Sequence, residues 1–452
     1  MATSSLEQAI AERLDDLLDL VTRLCRQPSV SAQNVGIEAM AGLAAQELEA
    51  AGVSARVLRV PGCDHPVVYG EARGDSPKTM LFYDHYDVQP AEPFDLWTSP
   101  PFEPSLRDGV LYARGVADNK GNIGARLAAL RALRSVRGSL PVTVKFFLEG
   151  EEEVGSPHIA AYLETYQELF RADACIWEGA GVNWQGAPIV ILGAKGMVSL
   201  LLEASTAARD LHSSWATVVP NAAWRLVWAL SALKGADERP RIPGFADGVR
   251  PPTAEERAAV LALPDEMPLA RREFGVTTFV AGAEGSEATM RHYFAPTINI
   301  ASLESGYLGE GLKTVLPHHA YAKLDLRMVP GQRPEEVMAQ VRRALDEAGL
   351  ADIIVSQLGP GLPAGRTPLG HPFVALVSTV AQAVYGLPSA VTPTMAATGP
   401  MYYFTDVLGL PTAGVGVEHP DCRMHAPDEN IRLEDLLRGT LMIGCLLERF
   451  AE

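Results

Sequence analysis

Several things that would place this chain outside a reducing compartment, in a membrane or on nucleic acid are scarce or missing. It has five cysteines in 452 residues, Cys25, Cys63, Cys175, Cys422 and Cys445, an odd number with no Cys-x-x-Cys spacing. That pattern argues against a disulfide framework and for free thiols. The amphipathic stretch from Met1 to Arg26 contains no apolar run long enough for a signal sequence or a membrane span, so cytoplasmic residence is the expectation. Basic residues are outnumbered, 38 Lys and Arg against 55 Asp and Glu, which leaves a net charge of −17. Such a surface repels phosphate and no basic patch offsets it, so neither nucleic acid nor an anionic membrane is an expected partner. Internal repeats and low-complexity tails are absent.

What is present is a chain with 47% hydrophobic residues, long enough to bury more than one core. Helix-like periodicity at 5–25 and 37–51 precedes strands near 55–60, 66–72 and 79–86, and a helix over 122–137 follows. Helix and strand then alternate to Glu178, which predicts an α/β domain with a central mixed sheet flanked by helices. From Met197 the pattern becomes strand 197–205, helix 221–234, a Pro- and charge-rich insertion at 236–296, strands 297–303 and 320–329, helix 333–348 and strand 353–358. This βαββαβ order predicts an inserted α+β domain. Gly359 to Pro363 reads as the return linker. The expected organisation is 1–195 and 363–452 as the two parts of a catalytic domain, with 196–362 inserted between them.

Chemistry gathers at the ends of the predicted strands. His85 and Asp87 follow the β-forming run Thr79–Tyr83, and their i, i+2 spacing points both to one face. A histidine binds metal well when its second ring nitrogen is held by an acceptor such as a neighbouring carboxylate. The apolar strand Pro141–Leu148 runs straight into Glu149, Glu151, Glu152 and Glu153, and Ala174–Trp177 runs into Glu178. Adjacent carboxylates repel unless a cation sits among them. Asp118 stands in a Gly-Val-Ala-Asp-Asn-Lys-Gly loop, and a late apolar run leads to His419, Asp421 and His425. Ligands of open α/β sheets collect beyond the carboxyl ends of the strands.

These segments, HYDVQP, RGVADNKG, EEEVGS, WEGAG, DLHS, KTVLPHHAYAKLDLRMVPGQ and HAPDE, resemble the co-catalytic dinuclear zinc peptidases. That family includes glutamate carboxypeptidase, aminoacylase, succinyl-diaminopimelate desuccinylase and carnosine dipeptidase, and the 196–362 segment is most similar to the carnosine dipeptidase branch. The resemblance implies His85 and Glu178 on one zinc ion, Glu153 and His425 on the other, and Asp118 bridging both. It implies Glu152 as the general base acting on a metal-bridging water, and Asp87 as the residue orienting His85. Manganese or cobalt suits the same donors.

In the inserted domain, a lid and dimerisation domain by resemblance, His212 corresponds to a histidine that serves the neighbouring subunit's site, so a homodimer is implied. Arg327 corresponds to a carboxylate-binding arginine, and Asn299 to a substrate-contacting asparagine. Gly399 lies in the loop that offers backbone N–H groups to substrate, although Pro400 has none to give. The expected activity is hydrolysis of dipeptides or short peptides with a free carboxylate. N-acyl amino acid deacylase or carboxypeptidase-type activity is the alternative, because glutamate at position 178 tends to accompany it in the family.

Overall fold

A computed structural model of the chain describes residues 5–452, so the first four residues of the N-terminal amphipathic pattern lie outside the described part. The chain forms two compact units. The first comprises residues up to Gly193, Arg366–Pro393 and Tyr403–Glu452, and the second Ala194–Gly365 and Thr394–Tyr402.

The first unit is built on an eight-stranded mixed sheet. Its strands, in spatial order, are Ser54–Leu58, Val67–Ala72, Leu140–Glu149, Gly74–His85, Ala174–Trp177, Thr412–Gly414, Ile189–Ile191 and Ala390–Thr392. The four in the middle, from Leu140–Glu149 to Thr412–Gly414, run parallel. Parallel strands are covered on both faces, which is why Val142, Val144, Phe146 and Phe147 are all buried. Residues of the helices Gly121–Arg137, Pro372–Tyr385 and Leu433–Ala451 complete that core, among them Ile123, Leu127, Val377 and Leu447. Each such side chain taken from water contributes about 1.5–3 kcal/mol. Helix Gly121–Arg137 stops where Gly138 takes a left-handed cap at φ 83°.

The pattern at 5–25 appears as two helices, Ser5–Ala11 and Leu14–Arg26, because Arg13 leaves helical geometry between them. The apolar face survives the break, with Leu6, Ile10, Leu17, Leu20 and Leu24 all buried.

In the second unit a four-stranded antiparallel sheet has the order Thr297–Ser305, His319–Met328, Gly196–Ser205, Ile354–Leu362. One face is apolar, with Val198, Leu200, Leu202, Leu324 and Leu326 packed in one core with Leu226 and Val341 of the helices Ala222–Leu233 and Pro334–Glu347. Asn221 starts the first helix by accepting the N–H groups of Ala223 and Trp224. The predicted insertion holds three helices, Ala254–Leu261, Met267–Glu273 and Gly285–Phe294. The expected linker at Gly359–Pro363 is largely strand, since Ile354–Leu362 pairs with Gly196–Ser205 as far as Leu362. Its Pro360 is tolerated because this is an edge strand beside an irregularity in the register at Met197 and Ser199.

Candidate metal centre

His85 is the last residue of its strand, Glu149 of the neighbouring parallel strand, and Glu178 follows the end of a third. Three parallel strands thus deliver their chemistry to one end of the sheet. Asp118 arrives from the turn Val116–Lys120, where its φ and ψ of −125° and 86° break the helical course. The Asp118–Asn119 peptide is cis. Gly115, at φ 81°, begins that turn, and a Cβ there would lie 2.5 Å from Val88.

The turn is clamped by Glu429. Its carboxylate accepts the backbone N–H groups of Gly115, Ala117 and Asp118 at 2.9, 2.9 and 3.1 Å, and pairs with Arg114 at 2.7 Å. Both members of that pair are fully buried. Glu429 was not singled out from sequence, although it closes the HAPDE segment that contains His425.

Asp118 points one carboxylate oxygen at His85 Nε2, 2.9 Å away, and the other at His425 Nε2, 3.0 Å away. Glu178 lies 3.4 Å from His85, and Glu153 lies 3.2 Å from His425. His85, Glu152 and Glu178 form a further close triad of ligand atoms. Asp87 sits behind His85, its backbone oxygen 3.0 Å and its carboxylate 3.4 Å from Nδ1. The same carboxylate accepts the N–H of Glu152 on one oxygen and that of Glu153 on the other. One buried aspartate therefore fixes both the histidine and the acidic segment. Gln89 holds Glu153, and Asn119 donates to Glu178 and Asp84. Asp84 is paired in turn with the buried Arg126.

Burial would favour a neutral Asp118, but hydrogen bonds from His425 and His85 hold its carboxyl below the usual range. Burial likewise opposes charge on His85, yet Glu178, Asp118 and Asp87 keep it well above the normal imidazole value. His425 is raised to about 10 by Asp118 and Glu153. Glu152 is pushed up to about 8, first by burial and then by Glu153, Asp118 and Asp87, and Glu178 is raised well above its ordinary value, chiefly by burial. Carboxylates repelling one another in a dry cluster are what divalent cations neutralise. The two imidazoles of His85 and His425 and the four carboxylates of Asp118, Glu152, Glu153 and Glu178 fit a pair of borderline or hard divalent ions. All seven residues expected from sequence for metal and proton chemistry, His85, Asp87, Asp118, Glu152, Glu153, Glu178 and His425, converge here.

The other four expected residues belong to the second unit. Arg327 and the Gly399 loop are brought together, since Arg327 Nη1 donates to the Thr398 hydroxyl at 2.7 Å. Asn299 pairs with Asp325, one alternation along from Arg327 on the polar face of the sheet. His212 is exposed and accepts the Ser214 N–H on Nδ1, which leaves the proton on Nε2. His419, read from sequence as a loop residue, has both ring nitrogens engaged, by Asn430 and by the Asp421 N–H.

The model of peptidase family M20/M25/M40 matches residues 81–449. Among characterised proteins, the human beta-Ala-His dipeptidase is 31% identical over 286 residues, which is 62% of this chain and 56% of that protein. Its rat and mouse counterparts are each covered to 58%, so the chain spans little more than half the length of these relatives. Of solved structures, an M20 family metallo-carboxypeptidase from Sulfolobus solfataricus is 34% identical with a TM-score of 0.90, covering 96% of this chain and 99% of that one. Human carnosine dipeptidase 1 is 25% identical with a TM-score of 0.79, covering 99% of both chains. On these grounds the chain belongs to peptidase family M20/M25/M40.

Proposed function

We propose that the protein is a metallopeptidase that hydrolyses the amide of dipeptides or short peptides carrying a free carboxylate. The observation that carries this reading is the placement of Asp118, one oxygen toward each of two histidines that are themselves flanked by Glu178 and Glu153. We assign His85 and Glu178 to one ion, His425 and Glu153 to the other, and Asp118 to both, with zinc as the ion and manganese or cobalt as substitutes. When bound, two such ions supply Lewis-acid polarisation of the scissile carbonyl and of the attacking water.

The chain's own residues do the rest. Glu152, held among His85 and Glu178 but assigned to neither ion, is suited to take a proton from the attacking water and to return it to the leaving amine. Asp87 holds Glu152 in place through its backbone and keeps the His85 ring oriented. Arg327 beside the Thr398–Gly399 loop offers a planar fork to a substrate carboxylate, with Asn299 on the same sheet face. The Nε2–H of His212 is suited to stabilise a developing oxyanion.

We assign the first unit to catalysis and the second to a lid and dimerisation role, with a homodimer as the active form in which His212 serves the partner's site. The free cysteines support a cytoplasmic setting. No helix among the described residues is long and apolar enough to cross a membrane.

One solved neighbour is named a metallo-carboxypeptidase, and glutamate at position 178 favours the second reading, a carboxypeptidase or N-acyl amino acid deacylase on the same residues. Turnover by the zinc-loaded protein of matched dipeptides and N-acyl amino acids separates the two. Cleavage only when the α-amine is free supports the dipeptidase, and cleavage only when it is acylated supports the alternative. Failure on both panels with full metal content would end the hydrolase reading.

A further inference from the structure

A second group of metal-capable side chains stands in the first unit, made of residues that the candidate centre does not use. Cys63 and His65 lie in the loop between the strands Ser54–Leu58 and Val67–Ala72, and Glu151 lies just past the end of Leu140–Glu149. One ligand atom from each of the three falls within 4.8 Å of the other two. Glu151 is buried, and its Oε2 faces Cys63 Sγ at 3.7 Å and His65 Nδ1 at 3.8 Å. From the far side His158 holds the carboxylate, its backbone N–H on Oε1 at 2.7 Å and its Nδ1 against Oε2 at 2.9 Å. No other cysteine among the described residues stands in such a group.

Tetrahedral zinc with ordinary bond lengths to sulfur, nitrogen and oxygen separates its ligand atoms by roughly 3.3–3.6 Å. The two separations around Glu151 Oε2 are only slightly wider, a gap that small side-chain rotations close. We propose that Cys63, His65 and Glu151 form a third metal site for a borderline-soft divalent ion such as zinc, with His158 fixing the carboxylate from outside. A mixed sulfur, nitrogen and oxygen set selects such an ion over magnesium or calcium. Burial pushes the Cys63 thiol up to about 11, so binding proceeds with release of that proton to solvent as thiolate replaces thiol.

The ion would tie the loop at Cys63 to a segment 88 residues away, and the next two residues of that segment are Glu152 and Glu153. Its occupancy would therefore stiffen the backbone that presents the proposed base. This inference does not depend on the hydrolase reading, because the candidate centre has only nitrogen and oxygen donors.

Cobalt(II) makes the test specific. Titrated into the metal-free full chain, it should develop an intense near-ultraviolet thiolate-to-cobalt band that saturates at one equivalent of the total bound. Cys63→Ser should abolish that band, and His158→Ala should weaken cobalt affinity at this site by about 10–100-fold, the usual effect of losing such an outer partner. Saturation of the wild type without the band, or a band unchanged in Cys63→Ser, would overturn the proposal. Elemental analysis of Asp118→Ala gives a second measurement that does not require a Cys63 variant to fold. One zinc per chain with the cobalt band retained supports the site, whereas a folded Asp118→Ala with neither metal nor band sinks it.

Discussion

Glu429 Oε1 accepts the backbone N–H of Asp118 at 3.1 Å across 311 residues of chain. The carboxylate that fixes this turn is held, on its other oxygen, by Arg114 and the Gly115 N–H. The position of Asp118 is thus set by a charged pair with no access to water.

Replacing Glu429 with Ala should therefore do two things. It leaves the Arg114 guanidinium buried without its partner, which destabilises by about 3–5 kcal/mol, and it frees the Asp118 turn, so metal content should fall. Glu429→Gln keeps one acceptor for the backbone and should fall between. Urea midpoints and elemental analysis on the three proteins check this. Wild-type metal content in a folded Glu429→Ala would show that the clamp does not position Asp118.

Glu152 is expected to move protons rather than hold metal. Glu152→Gln should lower kcat by at least ~10²-fold with metal content retained. Steady-state kinetics alongside metal analysis provide the check, and loss of metal in step with activity would instead make Glu152 a ligand, as its closeness to His85 and Glu178 allows.

Asp118 faces both histidines, so its removal should affect both ions. Asp118→Ala should lose the pair together, while Glu178→Ala and Glu153→Ala should each weaken mainly one. Binding isotherms followed by calorimetry distinguish these patterns. Retention of both by Asp118→Ala would contradict the bridging assignment.

A pH effect on stability is expected from Lys195, whose ammonium donates to the carbonyls of His292 and Ala295. Burial, with Arg327 nearby, lowers it from 10.5 to about 8. Between those values the unfolded chain binds more protons than the folded one, so this group raises stability as pH rises through the window. The full effect is at most roughly 3 kcal/mol. Lys120 is also lowered to about 8 and acts with the same sign, so the comparison must be wild type against Lys195→Met. The five cysteines, whose thiols burial pushes up from 9.0, act with the opposite sign in both proteins, so the quantity to follow is the wild-type-minus-variant difference in urea midpoint, which should grow from pH 8 to 10.5; a constant difference would refute the assignment.

The apolar periodicities were local and therefore readable: the buried strand Leu140–Glu149, the helix Gly121–Arg137 and the βαββαβ order of the second unit follow from which residues alternate and which recur at helical spacing. The split of the first helix at Arg13 and the continuation of Ile354–Leu362 through Pro360 were not, since an apolar face persists across a helix break and an edge strand tolerates proline.

His85, Glu153 and Glu178 were legible because each sits at or just past the end of an apolar run, where a strand stops and its next side chain is free for chemistry; Asp118 and His425, on a turn and a loop, were legible only through the motif resemblance. The division of labour within the acidic run was not. Glu149 accepts from Tyr83, Glu151 faces Cys63 and His65, Glu152 groups with His85 and Glu178, and Glu153 groups with His85 and Asp118 and reaches His425. Neighbours in sequence carry the same charge and the same local preference, so only contacts with distant segments separate them. Glu429 shows the same limit: its residue type was plain in the sequence, but its three backbone partners lie more than three hundred residues away and meet it only because the strand Asn430–Arg432 pairs antiparallel with Val110–Tyr112, just before the turn. Residue type and spacing determined which chemistry this chain can perform, while tertiary structure decided which carboxylate performs each part of it, because hydrogen bonds and charge pairs act over a few ångströms of space and not along the chain.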